Sequence, residues 1–200
     1  MRINRILKRT FAEGPGCRFC IWVQGCNHHC EGCFAVDSWD FSAGTDYSTE
    51  EIIQQFLSVK DDVCGITLLG GEPFEQAEEL AVIAAKAHEY DKNVITFTGY
   101  TYEQLNRSSV SAFRCLLAAT DLLIDGKYIK ELKDFSKPLI GSSNQKYIFL
   151  TDRIKKSEIY SYKNRFEIRN EGGTIRINGM GNTDKLNYYI NSLTKGETNE

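Results

Sequence analysis

No run in this 200-residue chain approaches the roughly 20 consecutive apolar residues that a membrane helix needs. Charge of one sign is also lacking. Lys and Arg number 24 against 27 Asp and Glu, a net charge of -3, which gives no overall electrostatic case for nucleic acid. The basic opening MRINRILKRT is not followed by the apolar region of a signal segment. Internal repeats, low-complexity linkers and a composition break between domains are missing as well. These absences predict a cytoplasmic protein with neither membrane nor nucleic acid as partner. They also predict one domain over 1–200, with a core at 13–150 and a C-terminal extension at 151–200. With hydrophobic residues at 42 %, the chain is long enough to bury a sizeable core.

Cysteine, in contrast, is plentiful. Five of the seven cysteines fall within residues 17–33, while Cys64 and Cys115 stand alone. A reducing compartment disfavours structural disulfides, so the cluster points to metal binding or redox chemistry. Cys26, Cys30 and Cys33 form C-x3-C-x2-C. Three thiolates so placed suit three irons of a cubic iron–sulfur cluster, whose full protein complement is four cysteines. The fourth iron is then open to an exogenous ligand such as S-adenosylmethionine. The rival is zinc, with Cys17-x2-Cys20 and Cys30-x2-Cys33 as two knuckles, though that spacing is short and leaves Cys26 unused. Cys17, Cys20, Cys64 and Cys115 are expected to be small buried fillers. His28 and His29 are expected to be exposed or to act behind the ligands, and His88 to be structural.

Along the chain, residues 2–8 suggest a first edge strand, and GPG at 14–16 breaks it. Residues 18–24 read as a buried strand leading into the cysteine loop. Ser48 and Glu51 have capping-box spacing and open a helix. Residues 64–69 form a strand running into GGEP, and a helix over 76–89 presents Leu80, Ile83, Ala84 and Ala87. Strands at 94–98, 122–124 and 147–150 follow, with a helix at 109–119. Strand–helix alternation of this kind implies βαβ units with parallel strands. Residues 166–169 and 174–177 read instead as a β-hairpin joined across EGG, with a polar helix from about Thr183. The motifs CNHHCEGC, GGEP, TGY, DGK and GSSNQ are expected after the C-terminal ends of strands. In βα barrels those ends share one face, where active sites are built.

Residues 13–39, EGPGCRFCIWVQGCNHHCEGCFAVDSW, resemble the entry segment of the radical SAM activating enzymes, the partners of glycyl radical enzymes. LLGGEPFEQ, FTGY, DGKY and GSSNQ continue the likeness over about residues 13–150, and within the family it is strongest to the anaerobic ribonucleotide reductase activators. The resemblance implies a partial (β/α)6 TIM-like barrel with a small C-terminal hairpin and helix. It implies that Cys26, Cys30 and Cys33 ligate a [4Fe-4S] cluster and serve as the catalytic set. Phe34 would pack near the cluster and the adenine of S-adenosylmethionine. Gly70, Gly71 and Glu72 would bind its methionine amino group, largely through backbone carbonyls. Thr98, Tyr100, Asp125 and Lys127 would line the same cavity, with Ser142, Ser143 and Asn144 at its rim. The implied activity is reductive cleavage of the cofactor to a 5′-deoxyadenosyl radical. That radical takes a hydrogen atom from a glycine of a glycyl radical enzyme, with a flavodoxin- or ferredoxin-type protein as electron donor. A radical enzyme modifying a peptide or small metabolite is the first alternative, and a non-catalytic zinc or iron–sulfur module the second.

Overall fold

Every residue of Arg18–Val23 is buried in the computed structural model, which describes residues 1–181 and Leu186. A strand covered on both faces belongs inside a parallel sheet. Here it is β2, following β1 (Arg2–Thr10), and it pairs in parallel with β4 (Gly65–Gly70). Parallel pairing continues to β5 (Asn93–Phe97) and β6 (Leu122–Asp125). The short β3 (Thr45–Asp46) lies outside β1, and β7 (Lys146–Phe149) closes the other side, giving the order β3-β1-β2-β4-β5-β6-β7.

Two features differ from the expected layout. The first strand is not at the edge, because β3 pairs with it antiparallel at Arg2↔Asp46 and Ile3↔Thr45. The second is the direction of β7, which pairs antiparallel with β6. Between them the chain makes only a short 3-10 turn at Lys130–Leu132, so no crossover helix carries it back for a parallel return. GSSNQ therefore precedes β7 rather than following a strand. Antiparallel pairing of Asp125 with Lys146 nevertheless brings it to the end where β6 stops.

Helices α1 (Thr49–Leu57), α2 (Ala77–Glu89), α3 (Tyr102–Arg107) and α4 (Ser111–Ala118) supply the crossovers. Helix α1 starts at the Ser48–Glu51 capping box, where each side chain bonds the other's backbone N–H. Leu80, Ile83, Ala84 and Ala87 of α2 are all buried, as the helical spacing requires. They join Phe19, Ile21, Ile66 and Leu68 in the main core. A second core gathers Ile95, Leu122 and Ile124 with Ile159 of α5 (Lys156–Ser161). Arg18 is fully buried, donating to Thr67 Oγ1 (2.6 Å), the Ile66 carbonyl and Asn93 Oδ1 (2.8 Å). Burial lowers its pKa to about 10, still far above neutrality.

The hairpin is present as β8 (Phe166–Glu171) and β9 (Thr174–Gly179). It is held to the loop after β1 by Asn178, which donates to Thr10 Oγ1 (3.0 Å) and Glu13 Oε1 (3.1 Å). The helix expected from about Thr183 lies outside the described residues. No helix among the described residues is long and apolar enough to cross a membrane.

Candidate iron–sulfur site

The loop after β2 is stitched to the turn after β4 by backbone bonds. Gly71 N–H donates to the Val23 carbonyl and Glu72 N–H to the Gly25 carbonyl, each at 2.8 Å. A Cβ at Gly71 would stand 2.2 Å from that Gly25 oxygen, so only a bare backbone permits this approach. Gly70, with φ of 108°, turns the chain out of β4 in the left-handed region. These constraints explain why two glycines precede Glu72.

Within the loop, Cys26 is buried and Cys30 and Cys33 are half-buried. Each sulfur faces a backbone N–H: Cys26 those of His28 and His29, Cys30 that of Tyr128, and Cys33 that of Ala35 at 3.4 Å. Burial raises the pKa of both Cys26 and Cys30, and a Cys33 thiolate raises them further. Three thiolates brought together in this way repel one another until a cation neutralises them. No three His, Cys, Asp or Glu side chains among the described residues gather as a single metal ion requires. A polynuclear cluster makes a different demand, one thiolate per iron with N–H groups on the sulfurs, and this donor set fits it. Cys17 and Cys20 do not join the loop. Cys20 packs with Leu7 and Trp22, while Cys17 borders Cys64 at the opposite end of β2.

Glu72 is the most heavily engaged side chain of the site and is 1 % exposed. Its Oε1 accepts from Phe74 N–H (3.0 Å) and Thr98 Oγ1 (2.8 Å). Its Oε2 accepts from Gly99 N–H (2.8 Å) and meets His28 Nε2 at 3.0 Å. Thr98 is thus turned toward Glu72. Tyr100 donates its hydroxyl to Glu75 (2.8 Å), and its ring packs against Phe74, Phe113 and His28. Burial and the Glu75 carboxylate push that hydroxyl's pKa up.

The remaining positions extend the same end of the sheet. Asp125 is buried and accepts from Tyr102 N–H (2.8 Å), while Gly126 N–H donates to the Tyr100 carbonyl (2.9 Å). Lys127 is exposed, near enough to Cys30 for its charge to favour the thiolate. Asn144 Nδ2 donates to the Lys127 carbonyl (2.8 Å), and Asn144 Oδ1 is buried with no partner. Ser143 is exposed. Ser142 is fully buried, accepting from Ile129 N–H (3.2 Å), and so does not lie at the rim as expected. Phe34 is 61 % exposed, with ring centroids of Tyr128 and Phe135 at 6.0 and 5.9 Å. Together the contacts close a circuit: the cysteine loop to Glu72, then Thr98–Tyr100, Gly126–Tyr128, and back to Cys30.

One further expectation needs correction. Cys64 and Cys115 are exposed rather than buried fillers: Cys64 lies just before β4, and Cys115 lies within α4 on a side that the core does not cover. Of the two places expected for the histidines, exposed or behind the ligands, His28 takes the inner one, its side chain 8 % exposed and directed at Glu72. Only His29 points outward, stacking on Trp39 at 4.8 Å with φ of 46°. The pair HH carries no signal that separates the two; the nearby GGE and TGY turns could have suggested an inward partner.

Comparison with known proteins places this geometry in a family. The family described as "4Fe-4S single cluster domain" matches residues 12–148. A protein of Enterobacteria phage T4, an anaerobic ribonucleoside-triphosphate reductase-activating protein, is 33 % identical over 164 residues, covering 79 % of this chain and 100 % of the relative. The chain belongs to this family of activating proteins. Members from Haemophilus influenzae and Vibrio cholerae are 37 % and 35 % identical over 140 residues, 66 % of this chain and 88 % of each relative. The matched region contains the whole circuit. It also holds all three cysteines of the loop.

Proposed function

We propose that this family member is a radical S-adenosylmethionine enzyme that activates a glycyl radical enzyme of the anaerobic ribonucleotide reductase type. The observation that carries the reading is the closed circuit joining a three-cysteine loop to the turns after β4, β5 and β6. Parallel β2, β4, β5 and β6 bring those turns to one end, which also supports the partial (β/α)6 arrangement.

When bound, the reduced cluster supplies one electron to the sulfonium of S-adenosylmethionine, yielding methionine and a 5′-deoxyadenosyl radical. Cys26, Cys30 and Cys33 would hold three irons and leave the fourth without a protein ligand. Gly70 and Gly71 let backbone carbonyls approach the methionine amino group. Asn144 Oδ1, a buried acceptor without a partner, is available to a donor on the cofactor. The backbone near Thr98 and Tyr100, together with Asp125 and Lys127, would complete the cavity wall, with Phe34 and Ser143 at its mouth. Exclusion of water falls to Glu72 and its partners, which fill the floor with satisfied hydrogen bonds. A glycine of the partner protein would donate the hydrogen atom to the radical, giving 5′-deoxyadenosine and a glycyl radical. A flavodoxin- or ferredoxin-type donor would return the electron to the cluster.

The test is anaerobic incubation of reconstituted, dithionite-reduced protein with S-adenosylmethionine. 5′-Deoxyadenosine is expected from the native chain and not from Cys30→Ala. With an anaerobic ribonucleotide reductase present, a glycyl radical signal is expected by electron paramagnetic resonance. Iron-loaded native protein that leaves the cofactor intact would overturn the reading.

A further inference from the structure

Each oxygen of the Glu72 carboxylate accepts two hydrogen bonds, and the partners come from three different turns. Phe74 belongs to its own turn after β4. Thr98 and Gly99 belong to the turn after β5. Only His28 comes from the cysteine loop. The imidazole reaches Glu72 by lying across Gly99, where a Cβ would stand 2.2 Å from His28 Cδ2. It is steadied on its other side by Tyr100, edge to face at 4.7 Å and 72°. Between Cys26 and Cys30, then, the chain is held by one side chain pointing inward.

We propose that His28 is a positioning residue that locks the cysteine loop onto the turns after β4 and β5 through the Glu72 carboxylate. The lock is built on a buried carboxylate whose two oxygens carry four hydrogen bonds, the condition under which a polar network fixes geometry. It sits two residues from each of two cysteines, so it sets where Cys26 and Cys30 face. A partner of this kind orients a ligand loop much as outer hydrogen bonds orient metal-bound side chains. It also gives Gly99 a reason: the glycine clears the path of the imidazole. The lock itself is a property of the protein chain; its use in cluster binding rests on the proposed function.

The test is timed alkylation of the full-length chain prepared without iron, read cysteine by cysteine by mass spectrometry. Cys26 is 7 % exposed and Cys20 fully buried, so both should label slowly in the native chain. In His28→Ala the rate at Cys26 should rise at least ten-fold while Cys20 stays protected. Gly99→Ala, which removes no polar group, should have the same effect by displacing the ring. His28→Gln, whose amide can still donate to Glu72, should restore most of the protection. Unchanged labelling of Cys26 in His28→Ala, a parallel rise at Cys20, or failure of the Gln variant would each overturn the lock. Reconstituting the native chain with iron and sulfide tests the underlying reading separately. Protection of all three loop cysteines supports the cluster, and its absence counts against the cluster while leaving the lock to stand on the iron-free data.

Discussion

Two histidine–carboxylate pairs sit at opposite ends of the same parallel strands. His28 meets Glu72 at 3.0 Å beyond the C-terminal ends, and His88 meets Asp121 at 2.9 Å beside the N-terminal ends. The chemistry of the pairs is alike; their attachments are not. Asp121 also accepts from Val94 N–H of β5 (2.7 Å) and from Thr151 Oγ1 (2.5 Å), with His88 in the last turn of α2. It therefore knits a helix, two strands and the start of a loop. Glu72 knits turns alone. A buried carboxylate that joins regular elements holds up the fold, whereas one that joins turns fixes the surroundings of a site. Sequence position tells the same story only after the strand directions are known.

The largest effect expected from breaking this comparison is at the N-terminal end. Asp121→Ala leaves three donors without their acceptor inside the protein, one of them a backbone N–H. We expect a loss of about 3–5 kcal/mol, measured by urea unfolding. Cys26 should keep its protection in whatever fraction remains folded. His28→Ala should show the reverse pattern, with Cys26 opened and the unfolding midpoint shifted much less. If both substitutions lowered stability equally and opened Cys26 equally, the division between a fold-bearing and a site-bearing pair would be wrong.

Much of this arrangement is legible from residue order. The cysteine spacing, the Ser48–Glu51 capping box, the buried face of α2 and the Gly–Gly–Glu turn all depend on local chemistry, and each has its structural counterpart. Less legible were features decided by distant partners. Helix α3 has a Thr101–Gln104 capping box but buries only Leu105, too little for a periodic signal. Strand β3 has two residues, and its pairing depends on where β1 lies. The direction of β7 follows from a missing crossover helix rather than from its own sequence. His28 and His29 are identical neighbours; the left-handed backbone at His29 sends one outward and leaves the other inside. Glu72 is legible as the polar end of a glycine turn after a strand, but the four bonds on its carboxylate come from residues up to 44 positions away.

A smaller effect should appear where the hairpin meets the loop after β1. Glu13 is buried, and its pKa is raised by that burial from 4.5 to about 7, with Asn178, Arg5 and the Gly179 backbone pulling it down and Glu167 pushing it up. A carboxyl whose folded pKa is raised lends stability that is complete below about pH 4.5 and is lost as pH climbs through about 7. The loss has an upper bound of about 3 kcal/mol, at 1.36 kcal/mol per unit. Glu13→Gln should match the native chain at pH 5 and exceed it at pH 8 in urea unfolding. Equal pH slopes would show that Glu13 ionises without cost. This contrast gives the site-bearing pair a second comparator, a buried carboxyl placed without a histidine.

The smallest effect should come from Glu31, whose exposed carboxylate pairs with Lys130 at 2.6 Å. That ion pair joins the same two segments as the Tyr128 N–H on Cys30, so by topology it looks like a second strap on the cysteine loop. Solvent and salt screen it, however, and two long side chains must be ordered to form it. Glu31→Gln should therefore leave the melting temperature, the alkylation rate of Cys26 and the iron content after reconstitution unchanged. A rise in Cys26 labelling would mean that an exposed pair shares the work assigned to His28 and Glu72. Burial, rather than the number of contacts between two segments, would then no longer separate the bonds that hold the loop from those that merely touch it.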